Sequence, residues 1–261
     1  MAQNTIFYFS GTGNSLHAAK LIAQKIGDCD IINIAHTKAG ETGLYVLEGK
    51  PQRVGFVFPC YAGGLPNIVT KFIKMLDIPG IRTESYCFAV ATYGGEAGNA
   101  LSQVKELLSS QRLELSYGAN IKMVSNYIAL YKMAENAKEK AENAETEIKI
   151  AAQDIAANKR NNIPKAKALI KIFYKSALKA ILKNIKFFNV GDSCNACGNC
   201  VKLCPSKNIK IENGRAVFGE QCEQCMACIQ WCPKEAINFK TKTVGALRYH
   251  HPNISYQDML A

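Results

Sequence analysis

Thr5-Ile6-Phe7-Tyr8-Phe9-Ser10-Gly11-Thr12-Gly13-Asn14-Ser15 is the stretch from which the fold can be read. Thr5 to Phe9 is a short, β-rich apolar run with little alternation, which suits a strand buried on both faces. Ser10 to Ser15 holds only glycine and small polar residues. A helical pattern runs from Leu16 to Ile26. A strand, a small-residue loop and a helix N-terminus together make an anion site. Free backbone N–H groups and the helix dipole face the ligand there, and the hydroxyls donate further bonds. No Gly-Lys-Ser/Thr follows, so the loop is not a Walker A loop, and G-x-G-x-x-G is absent. A monophosphate ligand therefore fits better than ATP or NAD. The bland alternative is an ordinary strand-to-helix turn with an N-cap serine.

Outward from this loop, further strands are expected at Asp30–Ile34, Arg53–Phe58, Tyr86–Ala91 and Ala119–Val124. Helices are expected at Asn67–Leu76, Ala97–Ser109 and across Tyr131–Arg160. Five strands alternating with helices predict an α/β fold with a doubly wound parallel sheet. Ligands in such sheets bind beyond the carboxyl ends of the strands. Two Gly-rich loops are expected at those ends. They are Pro59-Cys60-Tyr61-Ala62-Gly63-Gly64-Leu65-Pro66 and Thr92-Tyr93-Gly94-Gly95-Glu96-Ala97-Gly98. Glycines let backbone approach a flat ring, and tyrosines can stack on it. Tyr61 and Tyr93 also read as plain packing residues. Val124-Ser125-Asn126-Tyr127 follows the last strand and can edge the same site.

The cysteines are unevenly spread. Three of the 11 (Cys29, Cys60, Cys87) lie in the first third, and eight fall between Cys194 and Cys232. Those eight form two copies of one pattern: Cys194-x2-Cys197-x2-Cys200-x3-Cys204-Pro205 and Cys222-x2-Cys225-x2-Cys228-x3-Cys232-Pro233. This is the bacterial iron–sulfur run, in which three thiolates wrap one cluster and the fourth ligates the other. The expected metal ligands are Cys194, Cys197, Cys200 with Cys232, and Cys222, Cys225, Cys228 with Cys204, each set around one [4Fe–4S] cluster. A disulfide framework would need an oxidising compartment. Zinc sites usually pair two C-x2-C units and give no reason to repeat a run of four with a trailing proline. Each half continues into a helical turn and strand-like residues, Ile209-Lys210-Ile211 and Ile237-Asn238-Phe239. Glu212-Asn213-Gly214-Arg215 between them has hairpin chemistry.

Residues Asp192 to Phe239 resemble the two-cluster bacterial ferredoxins, a small α+β fold. Residues Asn4 to Arg160 resemble the flavodoxins, whose FMN-phosphate motif the Ser10-x-Thr12-Gly13-Asn14-Ser15 loop matches, with Ser where many have Thr at the first and last places. That resemblance implies FMN, with its phosphate at Ser10, Gly11, Thr12, Gly13, Asn14 and Ser15. It implies ring contacts at Pro59, Cys60, Tyr61, Ala62, Gly63, Gly64, Thr92, Tyr93, Gly94 and Gly95. Cys60 either tunes the flavin or packs, and Cys29 and Cys87 read as small buried apolar residues. One departure from flavodoxins is the missing acidic tilt, since residues 1–130 hold 11 basic and 9 acidic side chains. Together the two parts resemble the flavodoxin–ferredoxin fusion proteins of anaerobes. The expected divisions are a flavodoxin-like domain at 1–162, a basic linker helix at 163–190, a two-cluster domain at 191–240 and a tail at 241–261.

Lys165 to Phe188 carries seven lysines and no acid, with Lys171, Lys175, Lys179 and Lys183 in one stripe. It reads as a linker helix packed on the first domain with a solvated face. The alternative is a basic amphipathic helix for anionic lipid or an acidic partner. The formal net charge is +11. Two oxidised four-thiolate cubanes contribute about −4 and an FMN phosphate about −2, leaving about +5, and no nucleic-acid partner is expected. No apolar run approaches a membrane span, and Ile6–Phe9 is too short for a secretory signal, so a cytoplasmic protein is expected. His17 and His36 read as structural. The tail's His250-His251 suits an interdomain or surface turn better than a metal site.

The resemblance implies an electron carrier or transferase rather than an enzyme with its own metabolic substrate. The clusters each take one electron and FMN takes one or two. Partners are expected to be redox proteins, a ferredoxin-type donor or a flavoprotein or oxidoreductase acceptor. Three alternatives stand beside it: a flavin-dependent reductase of a quinone or nitro compound, a ferredoxin carrier with a flavin-free docking domain, and a redox sensor.

Overall fold

The computed structural model describes residues 2–38, 43–47, 51–77, 85–165, 174, 176–181 and 183–261. The elements of the first half are β1 (Asn4–Tyr8), α1 (Asn14–Ile26), β2 (Cys29–Asn33), a two-residue β3 (Tyr45–Val46), β4 (Arg53–Pro59), α2 (Asn67–Met75), a two-residue β5 (Leu76–Asp77), β6 (Tyr86–Tyr93), α3 (Ala100–Ser110), β7 (Leu115–Lys122) and α4 (Ala137–Ala156). Five of these strands form one parallel sheet in the order β2-β1-β4-β6-β7. With the two short strands set aside, the order is 2-1-3-4-5, the flavodoxin-like winding.

Alternation decides which layer each side chain joins. Ile6, Tyr8, Phe88 and Val90 point to one face, where α1 and α4 cover them with Leu16, Ile22, Ile148 and Ile155. Phe7, Phe9, Phe56, Phe58 and Ala89 point to the other, where α2 and α3 supply Val69, Phe72, Val104 and Leu108. Both faces of the central strands are dry, which is why their sequences read as unbroken apolar runs.

Two elements differ most from expectation. The last strand begins at Leu115 rather than Ala119 and ends at Lys122 rather than Val124, because pairing with β6 recruits Leu115 to Gly118 despite their polar and glycine content. The long helix covers Ala137–Ala156 rather than Tyr131–Arg160. Asn158 takes a positive φ of 52° just past its end, and residues 129–136 form turns and coil.

The second half holds β8 (Phe188–Val190), α5 (Asn199–Leu203), β9 (Ile209–Glu212), β10 (Arg215–Phe218), α6 (Ala227–Gln230), β11 (Ile237–Phe239) and α7 (Tyr256–Leu260). β9 and β10 form a hairpin, with φ of 48° at Asn213 and 74° at Gly214, as a tight primed turn requires. β11 pairs antiparallel with β8, so the unit closes on itself. The internal repeat reaches the backbone. Left-handed residues recur at Ala196 and Gln224, Gly198 and Met226, and Lys207 and Glu235, at the same offset that separates Cys194 from Cys222.

Of the basic segment Lys165–Phe188, residues 166–173, 175 and 182 lie outside the described residues, Lys171 and Lys175 among them. Residues 174 and 176–181 are helical, and Lys183–Phe187 is a 3-10 turn. Buried Tyr174 donates its hydroxyl to the Leu65 carbonyl, which seats this helix on the first domain. Among the described residues, no helix is long and apolar enough to cross a membrane.

Candidate functional site

The carboxyl ends of β1, β4, β6 and β7 open into a cavity of about 570 Å³. That volume suits a cofactor-sized ligand. The first loop contributes Ser10, Gly11, Thr12, Asn14 and Ser15 to its wall. Gly13 faces away, toward His251 and Ile254. It is the N-cap of α1 in a left-handed conformation (φ 92°), with no side-chain cap, and no acidic residue occupies the first turn. The first-turn N–H groups of α1 therefore lack both a capping oxygen and a neighbouring carboxylate, while Asn14 and Ser15 are buried. A buried, uncapped helix N-terminus fits a phosphate. The loop is held by its own polar groups. Gly13 N–H donates to Ser10 Oγ (3.0 Å), Ser15 and Thr92 share a hydroxyl hydrogen bond (2.8 Å), and Asn126 Nδ2 donates to Thr12 Oγ1.

The two Gly-rich loops form the middle of the wall. Pro59, Cys60, Tyr61, Ala62 and Gly63 line it from one side, and Thr92, Tyr93, Gly94 and Gly95 from the other. Gly64 lies outside the lining, since a Cβ there would collide with Tyr174. The loops abut each other: Asn99 N–H donates to the Gly63 carbonyl (2.8 Å), and a side chain at Gly98 would strike the same backbone. Cys60 donates its thiol to the Ala97 carbonyl (3.1 Å), and burial pushes that thiol up to about 12. It lines the cavity as a neutral group.

Val124, Ser125, Asn126 and Tyr127 also line the cavity. Three groups of lining residues escaped the sequence reading. Leu130 and Tyr131 stand at the mouth, each more than half exposed. Ala177, Leu178 and Ile181 come from the basic segment, and Glu223 and Gln224 come from the second half of the chain. Glu223 sits between two of the expected ligands, and its carboxylate accepts from Ile68 N–H (3.2 Å), capping α2 from across the domain boundary. Tyr127 donates to Gln224 Oε1 (3.3 Å). No local signal marks these residues, because a fold-level contact brings them there.

The eight repeated cysteines separate into two groups in space. Cys194, Cys197, Cys200 and Cys232 line one small cavity; Cys204, Cys222, Cys225 and Cys228 line another. This is the crossed arrangement expected from the run. Among the described residues no three His, Cys, Asp or Glu side chains converge tightly enough for a single metal ion. A four-iron cubane instead asks for one thiolate at each of four separate corners, which suits four cysteines spread around a small cavity. The donor chemistry also fits. Burial pushes the Cys225 and Cys228 thiols well up, with the neighbouring sulfurs adding to the rise. Only a strongly cationic core would hold such buried sulfurs as thiolates. Arg248 lies partly buried near Cys228 and Cys232, which belong to different sets, with its Nε and Nη1 unpartnered. The first set is nearer the surface, with Cys197 exposed; the second lies against the first domain.

The histidines are structural in placement. His17 stacks on His251 with ring centroids 3.9 Å apart, and His250 stacks on Trp231 at 4.3 Å.

Comparison with known proteins bears on both halves. Residues 177–237 match the family described as 4Fe-4S dicluster domain. No curated protein matches the sequence. Among solved structures, the chain is similar to Fusobacterium nucleatum flavodoxin bound to flavin mononucleotide, at 13% identity and a TM-score of 0.41, over 61% of this chain and 100% of that one. It is similar to a flavoprotein from Bacteroides uniformis, at 20% identity and a TM-score of 0.38, over 57% and 98%. It is also similar to two-electron reduced Megasphaera elsdenii flavodoxin, at 19% identity and a TM-score of 0.37, over 56% and 98%. The first half thus has the flavodoxin-like 2-1-3-4-5 sheet, and residues 177–237 of the second match the 4Fe-4S dicluster domain.

Proposed function

We propose that this protein passes electrons between two [4Fe–4S] clusters and one FMN within a single chain, and exchanges them with redox partner proteins. One observation carries the reading. The cavity at the sheet's carboxyl edge is walled jointly by the Ser10–Ser15 loop, the two Gly-rich loops and Glu223-Gln224, which lie between Cys222 and Cys225. Bound there, FMN supplies an acceptor and donor of one or two electrons. The residues of the chain do the rest. The α1 N-terminus and the loop hydroxyls hold the phosphate. Tyr61, Tyr93 and Tyr127 offer faces to the ring. Ala177, Leu178 and Ile181 shield the cavity from water. The cluster of Cys204, Cys222, Cys225 and Cys228 is the inner relay, and the one of Cys194, Cys197, Cys200 and Cys232 meets the partner. The expected partners are a ferredoxin-type donor and a flavoprotein or oxidoreductase acceptor.

The test is cofactor content of protein purified without oxygen. About eight iron, matching acid-labile sulfide and about one FMN per chain are expected. Reductive titration is then expected to move electrons between the clusters and the flavin. Eight iron without flavin would reduce the protein to a ferredoxin with a docking domain. A second reading, reduction of a quinone or nitro compound over the flavin, draws on the exposed Leu130 and Tyr131 at the cavity mouth. Turnover of such a compound without any protein acceptor would favour it.

A further inference from the structure

The loop read as a phosphate cradle belongs to the first domain, but its shape is held by the second. Three groups of the loop accept hydrogen bonds from residues more than two hundred positions later. Trp231 Nε1–H donates to the Gly11 carbonyl (3.1 Å). His251 N–H donates to the Thr12 carbonyl (2.8 Å). Tyr249 donates its hydroxyl to Asn14 Oδ1 (2.8 Å), and the other end of that amide donates to the Val124 carbonyl (3.3 Å). All three donor residues are buried, at 9%, 1% and 6% exposure for Trp231, His251 and Tyr249.

These bonds orient the loop's donors. A trans peptide is planar, with its C=O and N–H on opposite sides. Pinning the Gly11 carbonyl toward Trp231 therefore turns the Thr12 N–H away from the Trp231 indole. Pinning the Thr12 carbonyl toward His251 turns the Gly13 N–H inward, where Ser10 Oγ receives it. Steric contacts bar the alternatives. A Cβ at Gly11 would collide with the Cys225 carbonyl, and one at Gly13 would stand 3.0–3.1 Å from Ile254 and His251. The tail itself is docked by the His17–His251 and Trp231–His250 stacks.

We propose that the FMN-phosphate site is a two-domain site in which Tyr249 and Trp231 are positioning residues, so that flavin affinity depends on an intact, docked cluster domain. The inference rests on the FMN reading above. By linkage the dependence is reciprocal, and bound FMN strengthens cluster retention by the same factor.

The test compares two probes, FMN and riboflavin, which differ in the phosphate alone. Each is titrated by flavin fluorescence into anaerobic full-length protein that keeps its clusters and has been freed of flavin. Tyr249→Phe removes one buried hydrogen bond and is expected to weaken FMN by about tenfold. Riboflavin affinity and iron content stay as in the wild type. Trp231→Phe is expected to act in the same direction, and oxidative removal of the clusters more strongly. Equal weakening of both flavins in Tyr249→Phe would mean a merely structural role and would overturn the proposal. So would unchanged FMN affinity. A wild-type protein that binds neither flavin would overturn the FMN reading as well, so the two failures are separable. Amide hydrogen exchange supplies an independent readout. Thr12 and Asn14 are expected to exchange faster in Tyr249→Phe, while the β6 amides do not change.

Discussion

Gly11 shows how a residue can be read correctly for an incomplete reason. In the sequence it belongs to a small-residue loop where glycine lets an anion approach backbone. In the fold, the space a side chain would fill holds the Cys225 carbonyl. That neighbour is invisible locally, because it comes from 214 positions away. The cysteines behave differently. Their spacing already states which four belong together, since the run itself encodes the crossing, and the two cavities sort them the same way. Arg248 was read only as part of a tail. Its guanidinium lies by Cys228 and Cys232 with two nitrogens unpartnered. On the proposed reading, a fixed positive charge there would stabilise the more negative, reduced clusters. Arg248→Met is expected to shift cluster potentials negative by on the order of tens of millivolts. Redox titration followed by electron paramagnetic resonance would check this; unchanged potentials would show that the charge is screened.

At the scale of elements, the central strands β1, β4 and β6 were legible because each is buried on both sides and short. The edge strand β7 was the least legible, since only half of it is buried and its apolar content is diluted. α7 was not foreseen, although its Ser255–Asp258 capping box is a local signal: each side chain bonds the other's backbone N–H. Lys20 of α1 pairs with Asp258, so this short helix is tied to the first domain. Beside it, His251 is squeezed between His17 and the loop. Burial first, and His17 next, hold its ring down at about 3 against an ordinary 6.5, with Glu145 opposing and His250 adding. His17 is also held down by burial, with Glu145 opposing and Lys149 and Lys20 adding weakly. A histidine whose folded pKa is depressed stays neutral in the fold and takes a proton when the chain unfolds. Stability contributed by neutrality is therefore complete above pH 6.5 and declines as pH falls from there toward 3. Thermal unfolding at pH 7 and pH 5 is expected to show a smaller drop for His251→Gln than for the wild type. Equal drops would mean that His251 does not titrate across unfolding.

At the scale of the whole molecule the two halves share a core, a matter on which the sequence is silent. The hydrophobic core runs across the expected divisions at residues 162, 190 and 240. One cluster of buried residues joins Ile6, Leu16 and Ile148 of the first domain to Leu203, Ala227, Trp231, Ile254 and Met259 of the second half and tail. Ile128 and Ala129, which follow β7, conversely sit in the core of the cluster domain with Ile209, Ile229 and Ile237. Composition and periodicity assign residues to elements; they carry no information about which core a loop residue will enter. Interfaces of this kind couple unfolding. Heating the loaded protein without oxygen is expected to bleach the cluster absorbance and lose far-ultraviolet ellipticity in one coincident transition. Two separated transitions would show that the halves melt independently.

The strap across Gly11–Asn14 also has a consequence in time. A ribosome delivers residues 249–254 some 240 positions after the Ser10–Ser15 loop. The sheet and its helices can assemble from contacts close in sequence, yet the clasp that finishes their first loop arrives long after them. The ligands Cys228 and Cys232 emerge before it as well. On the proposed reading, chain order alone thus presents the iron sites for filling before the flavin's seat is complete.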